Sequence, residues 1–339
     1  MDFSTRALVY FTEVVLLLIL SQIFSVYTLK ADPYLLDFLA LYKESFHIAF
    51  SNMFTNVGTI EIGIFSIFAF LYFFIETLYG VSLGRVIANK KVIFVKDPDR
   101  YVKLTRAILR GAAKVIPFVP LILLFTIVKY PKYSQTIIDK KLGLVVISTK
   151  GEPEQISFRE RLKTLTISSI IIYYSILLGS VLILLSTVQS TSLGGSGNEL
   201  TNNTTFLQAF YIILNNNFTI DIRNIILGLG AGVALLVNVA SENILQGVLI
   251  VVVGKSLGWH TLLTGVLPQF FPETLGFCLG IASSFSLTFM EIDSIEVLVR
   301  GSSKTEYHSS LRIDILILLV TLMGSVILLI LGAVIEASL

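Results

Sequence analysis

Five glutamates stand singly inside long apolar stretches of this 339-residue chain: Glu13, Glu61, Glu76, Glu242 and Glu273. A carboxylate in the hydrocarbon of a bilayer costs about 3 kcal/mol or more, so each requires a cationic partner, a bound proton or a wet cavity. Two chemistries follow. Either the acids pair with bases and fix helix register, or some of them form a site that exchanges H+ for a monovalent cation. His47, His260 and His308 lie on separate segments, which argues against a shared metal site, and no HExxH, Ser/His/Asp or Cys/His arrangement is present. Gly80, Gly84 and Arg85 suggest a phosphate cradle, but the remainder of the P-loop pattern is missing. The lone Cys278 excludes an intrachain disulfide and any CxxC motif. Basic residues interleaved with aromatics, the footprint of nucleic-acid binding, are absent too. The sequence therefore points to no enzyme, no cofactor, no metal and no nucleic-acid partner.

The elements that must position these acids are membrane helices. The chain is 54% hydrophobic and only 14% charged, with a mean hydropathy of +0.83. A soluble domain carries about 25% charged residues. About 20 apolar residues cross the hydrocarbon layer, and the stretches 7–29 and 313–337 meet that length. Basic residues cluster at 85–114, 129–163 and 300–312, whereas 187–220 has none. Such clusters stay on the cytoplasmic side, so the N-terminus is expected inside and the C-terminus outside. On that reading 7–29 runs outward, 31–53 lies at the outer interface, and 59–79 returns. Residues 80–103 form a basic lip with a β-like run at Val92, Ile93, Phe94 and Val95. The stretch 112–128, interrupted by Pro117 and Pro120, is expected to re-enter on one side. Residues 165–188 run outward to a polar loop, 189–205. That loop holds N-x-T sequons at Asn202 and Asn203, and a third follows at Asn217. Spans at 225–239, 244–253 and 273–289 then zigzag to the last helix. The expected fold is an all-α polytopic integral membrane protein with about seven transmembrane helices and one re-entrant or interfacial helical hairpin.

Within this frame, Arg85, Lys90 and Lys91 are expected at the lipid surface, where each base near anionic head groups contributes about 1 kcal/mol. Glu76 and Glu61, near helix ends, read as exposed interfacial acids. Gly228 and Gly232, then Gly276, Gly280 and Ser284, recur every four residues and suggest close helix packing or a self-association face. Glu242 and Asn243 are placed at an inner turn. Glu273 is placed at a helix N-terminus, where the macrodipole favours an anion.

Two resemblances add to this reading. Residues 4–148 resemble the RDD family of membrane proteins in three pieces that occur in order. STRALVYFTEVVLLLIL is similar to the family's opening helix through Arg6, with Glu13 where Asp is usual. GVSLGRVIANKKVI is similar to its glycine loop through Gly80, Ser82, Leu83, Gly84 and Arg85, followed by LTRAILR with Arg106 and Arg110. SQTIIDKKLGLVVI is similar to its closing stretch through Gln135, Thr136, Asp139, Gly143, Val146 and Ile147. This likeness implies that Glu13, Arg106, Arg110 and Asp139 gather as an intramembrane ion-pair clasp or a proton and cation site.

The second half, residues 157–339, resembles the stage II sporulation protein M family through Phe210, Asn215, Asn216 and Gly228, through Asn243 and Gly247, and through Pro268 and Glu273. Gln269 and Phe270 stand where that family usually has His and Gly. The resemblances imply two membrane domains, 1–150 and 157–339, in a prokaryotic plasma membrane. They imply a scaffold or complex subunit in membrane remodelling or envelope processing. The partners expected are anionic lipids, other membrane proteins or a second copy, and a soluble MoxR-type ATPase.

Overall fold

The apolar stretches fold as helices because a backbone without water must satisfy its own N–H and C=O groups. The computed structural model describes residues 3–29, 59–96, 98–115, 128–129, 134–135, 137–149, 157–187, 206–229, 233–300 and 304–338. These divide into two compact units, the division falling between Ile172 and Tyr173.

The first unit is built on α1 (Phe3–Leu29) and α2 (Thr59–Tyr79). Tyr10, Val14 and Leu17 pack against Phe65, Ala69 and Phe73, with the Tyr10 and Phe73 rings stacked at 5.9 Å. The opposite face of α2 exposes Ile67, Leu71 and Ile75, one residue per turn, as a lipid-facing helix should. Gly80 then reverses the chain with φ 77°, and a Cβ there would overlap the Val92 carbonyl oxygen. Ser82 caps the short α3 (Leu83–Ile87). β1 (Lys90–Phe94) pairs antiparallel with a later strand, Leu144–Ser148, in the register Val92 to Val146. Between them come α4 (Arg100–Val115), the brief strands β2 (Val128–Lys129) and β3 (Ser134–Gln135), and α5 (Ile137–Lys141). Leu144–Ser148 is therefore β4. The β-like run of the basic lip is thus half of a two-stranded sheet, its partner supplied some fifty residues on. The α4 helix is inverted relative to a soluble one: Tyr101, Leu104, Ile108 and Leu109 are exposed while Ala107, Arg110 and Gly111 are buried. Outward apolar and inward charged faces suit the membrane interface. The expected re-entrant stretch 112–128 lies mostly outside the described residues.

α6 (Phe158–Thr187) carries the chain into the second unit, which holds α7 (Phe206–Leu227), α8 (Val233–Ser256), α9 (Leu267–Arg300) and α10 (Lys304–Ser338). A π turn at Leu262–Val266 precedes α9, directly before Pro268. Proline lacks the N–H that would continue the α-helical ladder, and π turns accommodate such breaks. α9 and α10 form a long antiparallel hairpin, its register fixed by Ser283 with Thr321 at 2.7 Å and by Ser286 Oγ donating to the Asp314 carbonyl at 2.7 Å. α7 packs on both. Within α10 the uncharged run 315–335 rises about 31 Å at 1.5 Å per residue, the thickness of the hydrocarbon layer.

Several expectations are corrected here. The expected span 225–239 is not one helix, because α7 ends at Leu227 and the chain turns at Gly228 and Leu229, glycine being a poor helix former. No turn separates 239 from 244: Glu242 and Asn243 lie inside α8, and the Asn243 amide donates to the Val239 carbonyl at 2.9 Å, one turn back. The basic segment 300–312 is mostly helix, since α9 reaches Arg300 and α10 starts at Lys304.

Candidate functional site

Charge in the first unit converges on Glu76. The end of α2 carries it inward, where Arg85 Nε donates at 3.0 Å, Arg110 Nη1 at 2.8 Å and Lys114 Nζ at 2.9 Å. Arg110 Nε also reaches Asp139 at 2.8 Å, and its Nη1 donates to Thr77 Oγ1 at 3.0 Å. Arg110 Nη2, likewise buried, takes no hydrogen bond among the described residues. The Lys114 ammonium lies 4.4 Å from the centre of the Phe73 ring, within cation–π range. On α4, burial and the neighbouring Arg110 charge pull Lys114 below its ordinary pKa. For Arg110, burial acts in the same direction, but Glu76 and Asp139 outweigh it and hold the guanidinium above its usual value.

Glu13 is buried beside this cluster but, among the described residues, accepts only from neutral donors. Ser82 Oγ donates at 2.5 Å, the Gly84 amide at 3.0 Å and Tyr72 Oη at 3.2 Å, all to Oε1. A Cβ on Gly84 would overlap Val9 and press on the Glu13 carboxylate, so only glycine lets the loop approach this closely. Among the described residues the cluster sets the acids Glu13, Glu76 and Asp139 beside the bases Arg85, Arg110 and Lys114. Arrangements of this kind hold helices together, because removing one partner of a buried pair leaves the other uncompensated.

The second unit has a polar seam of different character. Asn217, Asp221 and Asn224 recur on one face of α7 and are all buried. Asn217 Nδ2 donates to Glu273 at 2.7 Å, Ser325 Oγ donates to Asp221 Oδ2 at 2.7 Å, and Ser284 Oγ donates to the Asn224 carbonyl at 2.8 Å. Toward α8, Asn238 Nδ2 donates to Asn224 Oδ1 at 2.7 Å and to Glu242 at 3.0 Å, and Arg223 pairs with Glu242. Glycines make the approach possible. A Cβ on Gly280 would overlap the Asp221 carboxylate, one on Gly228 would stand 2.5 Å from the Ser284 carbonyl oxygen, and one on Gly276 would crowd Leu329 and Ser325.

The structure brings Arg110 and Asp139 together but gives Arg110 to Glu76 and not to Glu13. Arg106 stands over the turn before β4, its Nη1 3.0 Å from where a Gly143 Cβ would be. Of the bases expected at the lipid surface, Lys91 is exposed, whereas Arg85 and Lys90 are buried; for Arg85 the reason is its bond to Glu76. Glu76, expected to be exposed, is 1% exposed because three cations surround it. Glu273 is no N-cap: it lies inside α9 and accepts from Asn217. Asn217, read as a sequon, thereby spends its side-chain amide inside the fold. Asn243 is buried, Gly247 abuts Ser180, and Pro268 is exposed. Gly232 and the Glu61 and Arg6 side chains lie outside the described ones. Sequence reasoning missed Tyr72 and Lys114 in the first unit and Asp221, Asn224, Asn238 and Glu336 in the second, and it named Ser82 only as part of the glycine loop. The signal available was the i, i+4, i+7 spacing of Asn217, Asp221 and Asn224.

Five described helices have the length and composition to cross a membrane: Leu8–Thr28, Phe158–Ser186, Asn238–Ser256, Trp259–Ser294 and His308–Ser338. Gly63–Tyr79 is a shorter apolar helix. About seven were expected on the hydropathy argument. Buried charges and helix-facing glycines complete the picture of a helical membrane-type protein. The Stage II sporulation protein M family matches residues 150–339, more than half of the chain, and the chain belongs to that family. No curated protein and no solved structure matches it.

Proposed function

We propose that the chain is a non-enzymatic membrane scaffold, a subunit that gathers partners for membrane remodelling or envelope processing. The observation that carries this reading is the ion-pair network centred on Glu76 and Arg110. Glu76 takes three cations at 3.0 Å or less, and Arg110 bridges it to Asp139. Such a site is a clasp closed on itself, with its charges already used. The resemblance of residues 4–148 to the RDD family overlaps this clasp at Arg110 and Asp139, whereas Glu13 and Arg106 form no ion pair in it among the described residues. The outward apolar face of α4 lies in the anionic lipid surface, the basic segments face the cytoplasm, and a soluble ATPase is the partner proposed there.

Affinity purification of the full chain from native membranes tests the reading. Stoichiometric partners are expected, and recovery of the chain alone would overturn it. A second reading, exchange of H+ for a monovalent cation, draws on Glu13, which is buried yet receives only Ser82, Gly84 and Tyr72 as donors. In proteoliposomes carrying a pH-sensitive dye, ion-dependent proton flux lost in Glu13→Gln would favour exchange over the scaffold.

A further inference from the structure

We infer that the seam between α7, α9 and α10 is an intramembrane proton-binding site, at which Asp221 takes up one proton and Glu273 and Glu336 share a second. The inference is independent of the scaffold reading and concerns a different unit from Glu13. Depth is the first argument. Ser325, the donor to Asp221, is the central residue of the uncharged run 315–335, so the Asp221 carboxyl sits at the middle of the hydrocarbon layer. Glu336 follows the end of that run and marks its edge.

Missing partners are the second argument. Asp221 is 1% exposed, and its Oδ1 takes no hydrogen bond among the described residues. No described Lys or Arg forms an ion pair with Asp221, Glu273 or Glu336; the one base on α7, Arg223, is bound to Glu242. The charged groups recorded around Asp221 are an acid and a spent base: Glu242 from α8 and, on its own helix, Arg223, which is paired with Glu242. A carboxylate so placed is expensive in lipid unless its charge is removed.

Geometry then selects the ligand. Glu273 on α9 packs over Gly332, where a Cβ would stand 2.4 Å from its Cγ, one turn before Glu336 on α10, and two acids brought that close resist ionising together. A proton shared by the pair relieves that repulsion. At Asp221, Oδ1 fills the space where Gly280 lacks a side chain, pressed on the backbone of α9. A sodium or potassium ion needs several oxygens around a cavity of its own; a proton needs none.

Infrared spectroscopy of the full chain in phosphatidylcholine and phosphatidylglycerol vesicles tests this. A protonated carboxyl band is expected at neutral pH, slow to shift in D2O and lost at alkaline pH. Asp221→Asn should remove one component and Glu273→Gln another. Ser325→Ala, which keeps both acids, should move the Asp221 component without removing it, and Glu336→Gln, at a half-buried position, should remove the shared one. These two variants decide the matter if Asp221→Asn fails to fold. Absence of the band at neutral pH, its persistence unchanged in all four variants, or its displacement by Na+ or Li+ at constant pH would each overturn the inference.

Discussion

Glu76 illustrates what a single residue can be asked to hold. Its carboxylate lies at 0% side-chain exposure between Arg85, Arg110 and Lys114. Glu76→Gln removes the countercharge for all three, and breaking a buried pair costs about 3–5 kcal/mol. Glu13→Gln keeps a carbonyl oxygen that can accept from the same neutral donors, so its cost is at most that of weakened hydrogen bonds, each worth about 1 kcal/mol. Thermal unfolding in detergent should therefore rank Glu76→Gln well below Glu13→Gln in stability, and the opposite order would contradict the assignment of partners. Gly80→Ala should be costly as well, since φ 77° and the Val92 carbonyl both forbid a Cβ. Lone acids in apolar runs were legible in the sequence, and so was the need for partners. Which base goes to which acid was not. Arg85, Arg110 and Asp139 reach Glu76 and one another only through a turn at Gly80, a helix packed on α2 and a strand pairing with β1, and hydropathy carries none of that information.

At the scale of elements, legibility follows the strength of the local pattern. The bounds 59–79 read from the sequence coincide with Thr59–Tyr79, because lipid exposes or buries that whole stretch as one apolar block. The turn expected near Glu242 and Asn243 fails because polarity in a helix buried against other helices looks, in one dimension, like polarity at a surface. The inverted α4 makes a sharper prediction. With tryptophan as reporter, Ile108→Trp and Leu109→Trp should be quenched by brominated lipids, whereas Ala107→Trp, at a fully buried position, should disrupt packing or escape quenching. Equal quenching at all three positions would remove the interfacial assignment. In the second unit, Gly228→Leu should separate α7 from α9, since even a Cβ would stand 2.5 Å from the Ser284 carbonyl oxygen. Loss of a disulfide crosslink engineered between those helices would report it.

For the whole molecule, the family membership of residues 150–339 and the five candidate spans leave orientation as the property to measure. Cys278 is buried at 0% exposure, so the natural chain offers a silent background for thiol labelling. Lys91→Cys should react with a membrane-impermeant maleimide only after permeabilisation, and Asn202→Cys should react in intact cells. Labelling in the reverse order would turn the molecule over and move every basic segment to the outer face.

The α9 and α10 hairpin extends past the lipid. Beyond Asp314, the ten residues of α10 back to Lys304 rise about 15 Å at 1.5 Å each, and the end of α9 rises with them. The pair is therefore a two-helix post longer than the hydrocarbon layer is thick, and with the run 315–335 placed in that layer its end around Arg300 and Lys304 would stand beyond the head groups. A docked body at that height would be coupled by continuous helix to Ser325, and through its hydrogen bond to Asp221, so a push at the tip would arrive in the bilayer as a tilt or a slide rather than being lost in a loose tether.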